Sequence, residues 1–274
     1  MRRIMQESSF DHGFGTVWKD VYVHRREGYY TSVSDFHRHE FYELNLILSG
    51  NVNILLGDRA EQGRGYHLVL TQPGVPHYIS CKPDTLYSRL YLAFSTDFVS
   101  TIPEWVQLCS AFGEQGTVLT LTAESCHRLQ ALIQQIGGET SSFRQRMLVG
   151  YLMSLIGEEA GEQPTDVART PAYILQALAY IEEHYGEKIV AAALAHHLNV
   201  SRTTLMTEFK RHTDRTVVEY LTHCRIRHAT RLLREGKTLE DVAAHCGFAD
   251  SSGLVRCFKR CYGTTPRRYL AQGK

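Results

Sequence analysis

The run Ser201-Arg202-Thr203-Thr204-Leu205-Met206-Thr207-Glu208-Phe209-Lys210-Arg211 reads as a helix with a marked start and one apolar face. Ser201 carries the side-chain oxygen that an N-cap needs. Asn199, two residues earlier, tolerates the left-handed backbone of a tight turn. The apolar segment 189–198 predicts a shorter helix before that turn, so the pair reads as a helix-turn-helix. The pattern then recurs at an offset of 49: Leu205, Phe209, Lys210 and Arg211 return as Leu254, Phe258, Lys259 and Arg260. In the second copy a helix over 239–245 breaks at Cys246-Gly247-Phe248, and Asp250 caps a helix over 251–261. Asp214 and Gly263 stand where each second helix should end in a left-handed residue.

Leu205 with Phe209, and Leu254 with Phe258, lie at i and i+4 and face inward. That leaves Arg202, Thr203, Met206, Thr207 and Lys210 outside in the first copy, and Ser251, Ser252, Val255, Arg256 and Lys259 in the second. Short hydroxyls at a helix start suit phosphates and base edges, and Arg256 has the reach for a guanine. The run from Thr238 to Pro266, with Gly247-Phe248-Ala249-Asp250 and Phe258-Lys259-Arg260-Cys261-Tyr262-Gly263-Thr264-Thr265-Pro266, resembles the signature of AraC/XylS-type transcription regulators. Arg225-Ile226, Ala229 and Leu232-Leu233 fit the helix, 217–234, that joins the two units in that family. The resemblance covers about the last hundred residues. It departs at Gly253, where the family usually has a bulky residue, and at Asp214, where it usually has glycine. Glycine inside a helix costs roughly 1 kcal/mol.

The formal charge of +1 over 274 residues hides an asymmetry. From Pro171 onward there are 16 Lys and Arg against 10 Asp and Glu, net +6; the remainder, 14 against 19, is −5. A basic C-terminal part on an acidic N-terminal part is what phosphate contact by one part requires. There is no uninterrupted apolar run of the length of a membrane span, and the first residues lack the apolar core of a signal peptide. Seven scattered cysteines, without a paired metal spacing, point to a reduced cytoplasmic protein.

Residues 1–100 read as strands, at 17–25, 43–48, 52–56, 67–70 and 86–94, separated by turn residues; this spacing suggests a small barrel or jelly roll. Within it lies Phe36-His37-Arg38-His39-Glu40-Phe41-Tyr42-Glu43, then six residues, then Gly50. Pro73-Gly74-Val75-Pro76-His77 follows. The two stretches resemble the first and second cupin motifs, the second shortened, an arrangement familiar in the sensor domains of AraC-type regulators. His37, His39 and Glu43 share a strand face by alternation. With His77 they have the donor types for zinc, iron or manganese. The same residues, with Tyr78, suit an organic effector held by hydrogen bonds, or a polar barrel mouth with a structural role. Phe36, Tyr42 and Tyr78 read either as core or as a stacking wall for a sugar. After Ser100 the period changes: helices are expected over 102–112, 123–136 and 142–158, the last with Met147, Leu148, Tyr151, Leu152 and Leu155 on one stripe. In the resembling family such helices make the dimer contact.

The expected architecture is therefore a cupin-like all-β jelly-roll barrel sensing an effector (1–100), a helical dimerisation segment (101–160), a linker (161–170) and an all-α tandem helix-turn-helix domain (171–274). The resemblance implies a regulator with double-stranded DNA half-sites, a small-molecule effector, a second copy of the chain and RNA polymerase as partners. It implies no membrane and no cofactor, with a carbohydrate the commonest effector. By the same resemblance Thr203, Met206, Thr207, Ser251, Ser252, Val255 and Arg256 face bases, while Lys210, Arg211, Lys259 and Arg260 face phosphates. No nucleophile elbow or phosphate-cradling glycine loop marks an enzyme. Two rival classes remain: a metal-dependent cupin enzyme with secondary DNA binding, and an architectural DNA binder with a degenerate sensor.

Overall fold

The computed structural model describes residues 20–29, 36–81, 85–161 and 170–272. They fall into two compact units that divide in sequence between Thr170 and Pro171. The expected linker lies almost wholly outside the described residues, as do the first residues of the strand expected over 17–25.

The N-terminal unit opens with β1 (Val21–Tyr29), β2 (Phe41–Ser49), β3 (Asn51–Leu56) and β4 (Arg59–Arg64). β5 (His67–Thr71), β6 (His77–Cys81) and β7 (Leu86–Ser95) follow, and β8 (Thr117–Thr120) comes later. These pair as a five-stranded sheet in the order β1-β7-β2-β5-β8 and a three-stranded sheet in the order β4-β3-β6. Alternation along β2 separates two cores. Leu44 and Leu46 face outward and pack with Leu68, Leu70, Leu90, Leu92 and Phe94 beneath the helices. Ile47 faces the opposite way, into a core shared with Val52, Ile54, Leu56, Val69, Ile79 and Tyr87 from both sheets. Glu43 and Asn45 lie on the face of Ile47, inside.

Three strands escaped the sequence reading. Arg59–Arg64 is polar; His77–Cys81 is five residues that begin in a motif; Thr117–Thr120 is too short to show a period yet pairs with β5. The helix expected over 102–112 is broken. Glu104 turns left-handed (φ 58°), leaving one helical turn, α2 (Trp105–Leu108), and a 3₁₀ turn at Cys109–Phe112. Before it, α1 (Thr96–Val99) continues from β7. The two longer helices, α3 (Ala123–Gly138) and α4 (Ser142–Gly161), stand where periodicity placed them. The stripe on α4 is in fact two. Val149, Leu152, Met153 and Ile156 are buried, whereas Phe143, Met147 and Tyr151, at i, i+4 and i+8, are 69%, 44% and 58% exposed.

The C-terminal unit is helical throughout its regular structure: α5 (Ala172–Glu183), α6 (Ala191–His197), α7 (Arg202–Thr213), α8 (Val217–Arg234), α9 (Leu239–His245), α10 (Ser251–Tyr262) and α11 (Pro266–Gln272). Side-chain caps set four of the starts. Ser201 accepts from Thr204 N, Thr216 and Glu219 form a capping box, Thr238 accepts from Asp241 N, and Asp250 accepts from Gly253 N at 2.6 Å. Left-handed residues set the ends and turns: Asn199 (φ 55°), Asp214 (φ 58°), Gly247 (φ 70°) and Gly263 (φ 70°). Asp214 thus adopts the conformation usually left to glycine. Arg225 of α8 donates to the carbonyls of Tyr185 (2.7 Å) and Glu187 (2.6 Å), binding the joining helix to the end of α5. Among the described residues no helix is long and apolar enough to cross a membrane.

Two glycines in this unit should respond in opposite ways. A Cβ on Gly247 would stand 2.5 Å from Gly186 O and 2.8 Å from Arg225 Nη2, at a positive φ. Gly247→Ala should therefore cost more than about 1 kcal/mol. Gly253 lies inside α10 with its nearest added contact at 3.4 Å, so Gly253→Ala should gain roughly 0.5–1 kcal/mol. Denaturant unfolding of the two variants reads both, and equal signs would contradict this packing.

Candidate functional site

The inward face of the five-stranded sheet is polar where it nears the loop before β2. The main chain of His37 pairs with His77 through two hydrogen bonds (3.0 and 2.9 Å), fixing His37 beside β6. Gly74 N donates to His39 O at 2.8 Å and ties the turn of the second motif to the first. His37, His39, Glu43 and His77 consequently bring one donor atom each to within 4.8 Å of one another. The group is enclosed: His39, Glu43 and His77 are buried and His37 is half-buried.

Glu43 is the centre of this group. Its Oε2 lies 2.7 Å from His39 Nε2 and accepts from the Tyr91 hydroxyl (3.1 Å). Its Oε1 accepts from Asn45 Nδ2 and lies 3.4 Å from His77 Nε2. Asn45 Oδ1 in turn accepts from Arg89 Nη1 at 2.7 Å. Burial by itself would raise the Glu43 carboxyl, but the charge of His77 and the hydrogen bonds of both imidazoles hold it well below the usual carboxylate range. The neighbouring Tyr91 phenol is driven well above its usual value by burial and by the Glu43 charge.

Ring tautomers sharpen the picture. His39 Nδ1 is 3.0 Å from Phe41 O, and His77 Nδ1 is 3.1 Å from Val75 O. A carbonyl only accepts, so both Nδ1 atoms carry hydrogen and both Nε2 atoms turn toward Glu43. A lone pair on His39 Nε2 would oppose a carboxylate lone pair at 2.7 Å; a proton or a cation must lie between them. Imidazoles anchored to carbonyls through one nitrogen, with the other aimed at a shared point, are the arrangement that metal-binding histidines use. Among the described residues, buried His77 Nε2 has nothing beside it but Glu43 Oε1, at a long 3.4 Å. These donors fit a divalent cation.

A second group, Glu182, Cys224 and His228, joins α5 to α8. Here Arg227 pairs with Glu182, and the Tyr220 hydroxyl donates to it at 2.9 Å. A guanidinium already holds the carboxylate, so this group reads as helix packing.

The helical unit presents α7 and α10, twelve residues each, with matching inner pairs: Leu205 and Phe209, Leu254 and Phe258 are fully buried. On the outer faces Ser201, Arg202, Thr203, Thr207, Lys210, Arg211, Ser252, Arg256, Lys259 and Arg260 are exposed, whereas Met206, Ser251 and Val255 are half-buried. Arg211 is engaged by Glu208, its Nη2 2.6 Å from Oε2. Lys210, Arg256 and Lys259 have no ion pair among the described residues.

Family models match both units. An AraC-like ligand binding domain covers residues 20–156 and a helix-turn-helix domain covers 194–272. The chain belongs to the AraC family of transcription regulators. It is similar to the HTH-type transcriptional activator RhaS of Escherichia coli O157:H7, 23% identical over 259 residues, 87% of each chain. RhaS of Klebsiella pneumoniae (strain 342) is 24% identical over 260 residues, again 87% of each. Among solved structures, ToxT from Vibrio cholerae with an unsaturated fatty acid bound covers 92% of this chain and 95% of its own at 15% identity. Its TM-score of 0.41 is too loose a superposition to carry residue roles across.

For this regulator the sequence reading named His37, His39, Glu43 and His77, and the fold brings them together. Tyr78, expected with them, does not join: it follows His77 on β6, so alternation turns it to the opposite face of the three-stranded sheet, where it is buried. Nor is there a stacking wall at Tyr42, which faces away from the interior and packs on Phe94, Trp105 and Phe112. Asn45, Arg89 and Tyr91 were missed. Asn45 was open to discovery as the next inward residue after Glu43; Arg89 and Tyr91 needed the β2–β7 register, in which Tyr91 opposes Asn45 and Arg89 opposes Ile47.

Removing the central charge should be costly. Glu43→Gln leaves two inward imidazoles without their carboxylate and should lower stability by about 3–5 kcal/mol, as breaking a buried pair does. Denaturant unfolding checks it; a change within about 0.5 kcal/mol would remove Glu43 from the centre of the site.

Proposed function

We propose that this regulator acts as a homodimer joined along α4, laying α7 and α10 into successive major-groove segments of double-stranded DNA, about 34 Å apart. A small molecule held in the β unit, in contact with His37, His39, Glu43 and His77, controls it. The observation that carries the reading is the matched pair α7 and α10: equal length, side-chain caps, left-handed ends, and outer faces whose Lys210, Arg256 and Lys259 are not committed to carboxylates. α8 between them fixes their spacing. Thr203, Met206, Thr207, Ser251, Ser252, Val255 and Arg256 are the base-facing candidates. Lys210, Lys259 and Arg260 are the stronger phosphate candidates, because Arg211 is already spent on Glu208.

The dimer reading rests on α4. A helix apolar on both faces needs cover on both, and Phe143, Met147 and Tyr151 form the outward one. A second copy of the same helix matches that stripe, and RNA polymerase then meets the DNA-bound dimer.

The histidine group supports a second reading of the sensor, in which a divalent cation is bound by His37, His39, Glu43 and His77. When bound, it would supply a Lewis acid to an organic ligand or to the substrate of the enzyme alternative. Calorimetric titration of chelator-treated protein with Zn²⁺ and Mn²⁺ separates the two. Stoichiometric heat that His77→Ala abolishes favours the cation; no heat returns the site to an organic effector.

Arg256→Ala should cost about 1–3 kcal/mol on the preferred sequence and relax discrimination at one base pair. Equal weakening on every sequence would make it a phosphate contact. Lys259→Ala should weaken binding to all sequences and flatten the salt slope by about one unit; an unchanged slope contradicts its role. For the dimer, Tyr151→Glu should shift sedimentation toward monomer at concentrations where the unaltered chain is dimeric. An unshifted profile would move the contact elsewhere.

A further inference from the structure

We propose that the effector is an organic anion, whose carboxylate or phosphate group is received by Arg89, beside Arg26, on the inward face of the five-stranded sheet. The inference rests on the reading of the β unit as an effector site and names the ligand class.

Three observations carry it. Arg26 and Arg89 are paired residues in the β1–β7 register, so their side chains leave the same face directly opposite one another, and each is only 8% exposed. Like charges opposite each other across a strand pair are unfavourable, and burying them makes them more so. The partners of Arg89 are neutral: Nη1 donates to Asn45, the Tyr87 hydroxyl lies beside the guanidinium, the Tyr91 ring centroid is 5.6 Å away, and buried Nε has no hydrogen-bond partner. Finally, Glu43 is the only buried carboxylate among the described residues. Its two oxygens are occupied by His39, Tyr91, Asn45 and His77, with Asn45 standing between it and Arg89.

The interior of the sheet is therefore short of negative charge at Arg89, and a guanidinium fork is matched by a carboxylate or phosphate. The least covered part of this inward face is edge strand β1. There Tyr22 and His24, on the same inward face, are half-buried, and Tyr22 packs edge-on to Tyr91 with ring centroids 6.0 Å apart. Burial and the charges of Arg89 and Arg26 both lower the His24 imidazole, keeping that rim from adding a further proton. A ring or chain bearing an acid group can thus lie against Tyr22 and Tyr91 with its anionic end on Arg89 and its hydroxyls toward the Glu43 group.

The test compares the full chain with Arg89→Gln and Arg89→Lys by thermal melting. It is run first without ligand, then with galacturonate and glucose 6-phosphate against galactose and glucose as neutral counterparts. Without ligand, Arg89→Gln should melt at or above the unaltered chain, because an uncompensated buried charge is gone. A clear fall in its midpoint would mean that internal partners satisfy Arg89, and overturns the proposal. With ligand, the acidic probes should raise the midpoint of the unaltered chain more than their neutral counterparts, and Arg89→Gln should weaken them roughly tenfold or more. Arg89→Lys should retain part of the effect. A neutral sugar acting equally on the unaltered chain and on Arg89→Gln overturns the anion while leaving the effector reading intact. An Arg89-dependent anion shift with no change in DNA affinity keeps the anion site and removes the effector reading. If no probe responds, the ligand-free comparison decides.

Discussion

A single buried carboxylate holds the interior of the β unit together. Glu43 sits where β2 turns its polar face inward, 3% exposed, and two histidines, a tyrosine and an asparagine converge on it. A lone carboxylate so deeply buried would be prohibitively costly; each oxygen must be answered, and each answer fixes another element. His39 sets the approach to β2, His77 the start of β6, Tyr91 the face of β7. Asn45 passes the network on to Arg89. One end of the space between the two sheets is thereby polar, beside the apolar core that Ile47, Val69 and Tyr87 form with Val52, Ile54 and Ile79, while Leu44, Leu46, Leu90 and Leu92 of the same strands are turned outward beneath α3 and α4.

The helical unit follows a different constraint. Its inner pairs are simple apolar anchors, and what distinguishes α7 and α10 from ordinary short helices is their ends. An N-cap oxygen and a left-handed terminator fix where each helix starts and stops to the residue, so the outer side chains keep a constant position relative to α8. Such placement is what base reading needs, since a one-residue slip rotates every outer side chain by about 100°. Asp214 and Gly263 reach the same left-handed conformation with different residues. Aspartate tolerates it with its short polar side chain, and glycine adopts it without strain.

Much of this was legible in the sequence where local chemistry decides the structure. The caps at Ser201 and Asp250, the turn at Asn199, the repeat of Leu205 and Phe209, and the joining helix all appear at their expected positions. His37, His39 and Glu43 were expected to meet by alternation on one strand; His37 and His39 instead precede β2, and main-chain bonds to His77 and Gly74 bring them to Glu43. Long-range pairing hid the rest. Arg89 and Tyr91 carry no motif; they matter only because β7 lies between β1 and β2. Tyr78 was drawn into the site by its nearness in sequence to His77, which in a strand guarantees the opposite face. The second stripe of α4 escaped because the apolar residues of one helix read as a single broad face until the body of the protein covers half of them.

In the proposed function, two helices of one unit read DNA together under the control of the β unit. Selection of the full chain on random duplexes, followed by sequencing of the bound fraction, tests it most directly. Two major-groove helices held by α8 should give two enriched blocks per half-site with centres about one helical turn apart. A single block, or enrichment that vanishes into sequence-independent binding, would contradict it.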